Sequence, residues 1–175
     1  PEIVIVVPDI RKVVHNGNGI LEILEGGDFP NLELQLNGNG ELHFSGTANQ
    51  LRTDLSGSGQ IYLEGFAMRL SANLSGNGEI HGGNLLVEDA DVNLSGSGSV
   101  YLDLDYESTL NLELTGTGLV EWWGAPQRLN YNLNGIGKVI EHRGLPKKSA
   151  GLSKSGAAKT GATSPNLYET TPRQP

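Results

Sequence analysis

His43, Tyr62, His81 and Tyr101 are the residues best suited to chemistry or recognition, and they recur at steps of 19, 19 and 20 residues. Glu22 stands before them and Glu121 and Ile140 after them at the same pitch. Imidazoles and carboxylates at a fixed spacing resemble a zinc donor set, so a metal centre is the first chemistry to weigh. If each step is one coil of a stacked β structure, the rungs lie ~4.8 Å apart. His43 and His81 then stand ~10 Å apart, whereas two nitrogens sharing a zinc must each sit at about 2 Å from it. The chain has no cysteine, hence no thiolate ligand and no disulfide framework. The expected role of the column is a surface ladder of rings. Its functional version is a flat aromatic strip for a sugar or a partner surface.

Other candidates weaken on the same test. The Gly-x-Gly phrases lack the lysine and following helix of a phosphate loop. Calcium-binding repeats need Asp at fixed places on a nine-residue period, and here the phrases carry Asn, Ser and Thr. Arg52 and Arg69 lie near Asp54, yet nothing marks them as more than surface pairs. His15 occupies a column otherwise filled by leucine and is expected to be a core or cap histidine. No nucleophile stands with a base, and no carboxylates converge. The expectation is no catalytic residue, no cofactor and no metal.

The elements that position these residues follow from one phrase said seven times. Its glycine pairs are Gly17/Gly19, Gly38/Gly40, Gly57/Gly59, Gly76/Gly78, Gly96/Gly98, Gly116/Gly118 and Gly135/Gly137. A near-constant period of about 20 residues marks a repeat architecture. Counting by twos from the first glycine, Leu36, Leu55, Leu74, Leu94 and Leu114 precede it, while Leu42, Ile61, Ile80, Val100, Val120 and Val139 follow it. The intervening positions are polar. This alternation predicts strands with one buried face. The parity runs through the glycines, so both are expected to face inward as the turn residues of a bend, where a side chain has no room and where glycine permits the positive φ of a sharp corner or bulge. The fold expected is an all-β, right-handed β-helix-like solenoid over residues 1–145, with about seven coils of ~20 residues forming a rod about 29 Å long.

Gly26-Gly27-Asp28-Phe29-Pro30-Asn31, Gly65-Phe66-Ala67, Gly82-Gly83-Asn84 and Gly124-Ala125-Pro126 read as turn-rich connections whose lengths absorb the drift in period. Ile3 to Val7 reads as a strand buried on both faces. Residues 146–175 are rich in Lys, Ser, Gly, Ala, Thr and Pro and read as a disordered tail. Leu119, Trp123, Ile136 and Ile140 fall on outward parities near the end. They form a candidate apolar patch for association, such as a homo-oligomer through the end coils. Residues 1–145 hold 7 basic against 19 acidic side chains, a balance of −12, and the rest hold 5 against 1, which gives the overall −8. An acidic body argues against nucleic acid as a partner. No apolar run reaches the ~18 residues of a membrane-spanning helix. The start at Pro1 reads as a mature product or excised fragment.

Ser56-Gly57-Ser58-Gly59-Gln60-Ile61 and Ser95-Gly96-Ser97-Gly98-Ser99-Val100 carry a family resemblance. So do the step from Gly124-Ala125-Pro126 into Asn134-Gly135-Ile136-Gly137-Lys138-Val139 and the opening Ile5-Val6-Val7-Pro8-Asp9-Ile10. These phrases resemble the family described as "putative autotransporter adhesin, head GIN domain", over about residues 3–142. Asn replaces the first Ser in three phrases, and Ile136 breaks the polar column. The resemblance implies a bacterial envelope or secreted protein. The function expected is a non-catalytic, adhesin-like module presenting polar faces to a glycan or surface protein. A structural spacer held by self-association and a polysaccharide-degrading enzyme are the alternatives.

Overall fold

The computed structural model describes residues 9–23, 28–143 and 166–169. Its elements are all strands: β1 (Lys12–Gly17), β2 (Ile20–Ile23), β3 (Asp28–Gly38), β4 (Glu41–Gly57), β5 (Gln60–Gly76), β6 (Glu79–Gly96), β7 (Ser99–Gly116), β8 (Leu119–Trp123), β9 (Arg128–Gly135), β10 (Lys138–His142) and β11 (Asn166–Glu169). Pairing runs parallel from β1 through β3, β4, β5 and β6 to β7. β2 pairs with β4, β8 and β9 pair with β7, and β10 pairs with β8. This is a β-solenoid of about seven turns. The first glycines stand in one register line, from Gly17 opposite Gly38 to Gly116 opposite Gly135.

The core is the predicted even-position ladder. Leu36, Leu55, Leu74, Leu94 and Leu114 are buried, as are Leu42, Ile61, Ile80, Val100, Val120 and Val139. No coil could bury this face alone; stacking turns it into one continuous apolar column.

The two glycines of a bend are not equivalent. The first of each pair has a positive φ, for example +123° at Gly57. The second glycines, Gly19, Gly40, Gly59, Gly78, Gly98, Gly118 and Gly137, do not. From the second phrase onward they are required for space instead, because the preceding coil fills the volume a side chain would need. A Cβ on Gly59 would stand 2.5 Å from Gly40 O and 2.8 Å from Leu36 Cδ2. One on Gly78 would stand 2.5 Å from Gly59 O and 2.8 Å from Leu55 Cδ2. One on Gly118 would stand 2.5 Å from Leu94 Cδ2 and 2.7 Å from Gly98 O. Gly19 lies on the first described coil and escapes this crowding, with only His15 Cε1 at 3.8 Å. The preceding coil also satisfies the bend's backbone. Gly38 O accepts from Ser58 N and Gly59 N at 3.1 and 3.0 Å, and Gly40 O accepts from Gln60 N at 3.0 Å. Each phrase is therefore the hydrogen-bonding template for the next.

Two expected connections are strand instead. Gly65-Phe66-Ala67 lies inside β5, where Gly65 bends at φ +116° yet stays paired with Gly46. Gly82-Gly83-Asn84 lies inside β6, with register shifts between Tyr62 and Glu64 and between Gly82 and Leu86 that absorb the extra residues. Neighbouring coils supply partners throughout, so a glycine bends the strand without ending it. Gly124-Ala125-Pro126 does interrupt the strands, between β8 and β9. The strand expected over Ile3–Val7 and the Gly26-Gly27 turn lie outside the described residues. So does the expected tail, apart from β11, which pairs antiparallel with β10.

Candidate functional site

Parallel in-register pairing places His43 opposite Tyr62, Tyr62 opposite His81 and His81 opposite Tyr101. Their ring centroids are 4.6, 4.7 and 5.2 Å apart. The last two pairs are stacked within 8° of parallel, and the first is tilted by 32°. The column is one continuous pile of rings across four coils. Its geometry corrects the picture of a flat aromatic platform. The ring faces cover one another along the stack, which leaves ring edges toward the outside, and the Nε2 tip of His81 is itself buried.

Three of the four tips face the residue two positions earlier on their own strand. Tyr62 Oη donates to Gln60 Oε1 at 2.5 Å. His43 Nε2 is 3.1 Å from Glu41 Oε2. His81 Nε2 lies 2.9 Å from Glu79 Oε2, in ion-pair range but outside hydrogen-bond geometry. Burial, and after it the carboxylates of Glu41 and Glu79, raise the Tyr62 phenol above its ordinary pKa. A groove of about 610 Å³ runs beside the column, bordered by Glu22, Ser45, Glu64 and Asn84 as well as the four rings. No lysine or arginine lines it.

Other columns complete the wall. Glu121 Oε1 meets His142 Nε2 at 2.5 Å, and the His142 ring stacks on Trp123 at 4.6 Å. Asp103 is buried, with Oδ1 lacking a hydrogen-bond partner, and burial together with the Asp105 charge raises its carboxyl to about 6. Asp103 falls on an outward parity, and no sequence signal marks it as buried. Among the described residues no three histidine or carboxylate side chains gather closely enough to hold a metal ion.

A second polar wall precedes the bends. Asn93 Nδ2 donates to Asn73 Oδ1 at 3.0 Å, and Asn73 Nδ2 to Asp54 Oδ1 at 2.8 Å. Arg52 closes this ladder with Nε and Nη2 each 2.9 Å from Asp54, and its own pKa is raised by those bonds. Asn130, Asn111 and Asp91 repeat the pattern. The signal for these amide ladders was Asn with Asp recurring three residues before the first glycine (Asp54, Asn73, Asn93) and five before it (Asp91, Asn111, Asn130), which alternation of polarity alone passes over. The ladders expected beside the glycines are represented by Asn37 on Asn16 and Ser97 on Thr117.

The remaining expected residues are dispersed. His15 sits in the leucine column at the first coil, its Nε2 bonded to Gly19 O at 2.8 Å. Of Leu119, Trp123, Ile136 and Ile140, only Ile136 is exposed. Trp123 lies against His142, and the Ile140 backbone sits between Glu121 and Leu167. They do not form one open apolar surface.

A parallel β-solenoid with a ring-lined groove on one wall is the class to which fold and site assign this chain. The chain belongs to the family described as "putative auto-transporter adhesin, head GIN domain", whose model matches residues 2–126. The match stops before the last phrase, short of the span to residue 142 that the resemblance covered. Its fold is shared by the crystal structure of a putative adhesin from Bacteroides fragilis NCTC 9343, with a TM-score of 0.62 and 23% identity. That likeness covers 71% of this chain and 59% of the other, so the chain spans well under two thirds of that relative. No curated protein shows significant sequence similarity to it.

Proposed function

We propose that this chain is a non-catalytic, adhesin-like binding module of the bacterial envelope or its secreted proteins, which holds a glycan or surface protein along the ring-lined groove. The observation that carries the reading is the groove itself, about 610 Å³ and spread over adjacent coils, with phenol, imidazole, amide and carboxylate tips at its border. Stacked rings are rigid, so these tips are presented at little further entropic cost on binding. Family membership supports the adhesin-like class and a surface location. A structural spacer acting by self-association is the second reading, favoured by Tyr131 and Ile136, which are 57% and 64% exposed on the last coil.

The test exposes the purified chain to bacterial and host polysaccharides, reading binding and new reducing ends together. The expected result is binding without cleavage, weakened at least about tenfold by Tyr62→Ser with Tyr101→Ser, as loss of two edge contacts worth ~1 kcal/mol each implies. Cleavage would refute the non-catalytic reading. Silence across the panel would favour the spacer.

A further inference from the structure

The rungs of the ring column alternate in chemistry. Glu41 with His43 is followed by Gln60 with Tyr62, then Glu79 with His81, then Ser99 with Tyr101. A carboxylate beside an imidazole thus recurs on every second rung, a repeat of ~10 Å. The intervening rungs carry a phenol with a neutral partner. Because the rings stack face to face, a ligand meets their edges, and the charge it meets is negative: Glu22 and Glu64 border the groove with no lysine or arginine, and Glu41 and Glu79, outside the groove lining, flank the column with side chains 41% and 38% exposed.

These constraints select the ligand. It must be extended along the solenoid axis, repeat over two rungs, and offer positive charge. An extended peptide shows side chains on one face every ~6.8 Å, out of step with rungs at ~4.8 Å and with their ~10 Å double repeat. A β-linked glycan that turns over with each sugar repeats by the disaccharide, which is the longer period the column displays. We propose that the column is a subsite array for a linear, amine-bearing β-linked glycan, with Glu41 and Glu79 each taking an ammonium from alternate sugars and Tyr62 and Tyr101 contacting the sugars between. This inference rests on the binding role given above. Each exposed ion pair is weak, so affinity accumulates through repetition along one chain.

The test titrates the whole chain at about pH 6, where most amines of chitosan carry a proton, with chitosan oligomers of increasing defined length. Fully N-acetylated chitin oligomers and oligolysine serve as comparators. The expected result is affinity that rises with each added disaccharide, falls with salt, and drops about tenfold in Glu41→Gln with Glu79→Gln, as the loss of two exposed ion pairs implies. Circular dichroism verifies that the variant is folded, and Arg52→Gln, in the amide ladder outside the groove lining, is expected to bind normally. Equal binding of chitin oligomers, equal or tighter binding of oligolysine, no dependence on length, or no effect of the double variant would each overturn the proposal. If a neutral glycan binds and depends on Tyr62 and Tyr101, the groove reading stands and the cationic assignment falls.

Discussion

Asp103 keeps 5% of its surface in water, and its Oδ1 has no hydrogen-bond partner. Burial first, then the Asp105 charge, raises its pKa from 3.8 to about 6. The folded chain therefore holds this proton more tightly than the unfolded chain. The sign follows: stability falls as pH rises from the unfolded value through about 6, and levels off above it. The shift amounts to about 3 kcal/mol at most. Asp103→Asn removes the charge and keeps the shape. Thermal melts across the pH range are expected to show the variant more stable by roughly 1–3 kcal/mol at pH well above 6, with the advantage vanishing in acid. A constant difference at all pH would mean that the carboxyl is ionised alike in both states. Glu141 is a related case, because it ends the inward column beside buried Trp122 and is paired with Arg143 Nε at 3.0 Å. A charged residue in a core column is tolerable at the last rung, where an exposed arginine reaches it.

The bend is the element on which the solenoid turns, and its first and second glycines answer different demands. At Gly17 the φ is +142°, but a Cβ would meet nothing within 4 Å, because no described coil lies before it. At Gly57 the φ is +123° and a Cβ would lie 2.5 Å from the carbonyl oxygen of Gly38. Gly17→Ala is expected to cost only conformational strain, roughly 1–2 kcal/mol. Gly57→Ala adds a clash with backbone that cannot move without disturbing the Ser58 and Gly59 hydrogen bonds, and is expected to cost roughly 3–5 kcal/mol. Urea midpoints at unchanged slope check the difference. Equal costs would show that the stacked carbonyls yield more easily than their bonding implies.

For the whole molecule, each coil contacts its neighbours, so stability is a sum over coils and interfaces. Removing residues 77–96 excises one full period and joins Gly76 to Ser97 with the glycine line intact. The product is expected to fold with an all-β circular dichroism spectrum, a lower midpoint, and a length shorter by one rung of ~4.8 Å in small-angle scattering. Removing a run that is not a whole period shifts every later side chain to the wrong face or off its bend, and is expected to abolish cooperative unfolding. Survival of such a frame-breaking deletion would contradict the template role of the bends.

The period, the parity and therefore the register are set by the order of amino acids alone. Seven Gly-x-Gly phrases and mostly apolar residues at the even offsets admit one stacking in which like meets like, and the ring column at His43, Tyr62, His81 and Tyr101 follows from it. What lies between coils is settled only by packing in three dimensions. Period-two reasoning assigns a face but not a cover: Tyr131 has inward parity and is 57% exposed on β9, a strand paired on one side only among the described residues, while outward Asp103 is buried between coils. The split between a glycine needed for both φ and space, such as Gly76 or Gly116, and one needed for space alone, such as Gly78 or Gly118, appears only when the preceding coil stands against them. The orientation of the rings is of the same kind. Composition places them in a column, but only the ~4.8 Å rung spacing forces them face to face, turning a platform into an edge lined with phenols, imidazoles and carboxylates.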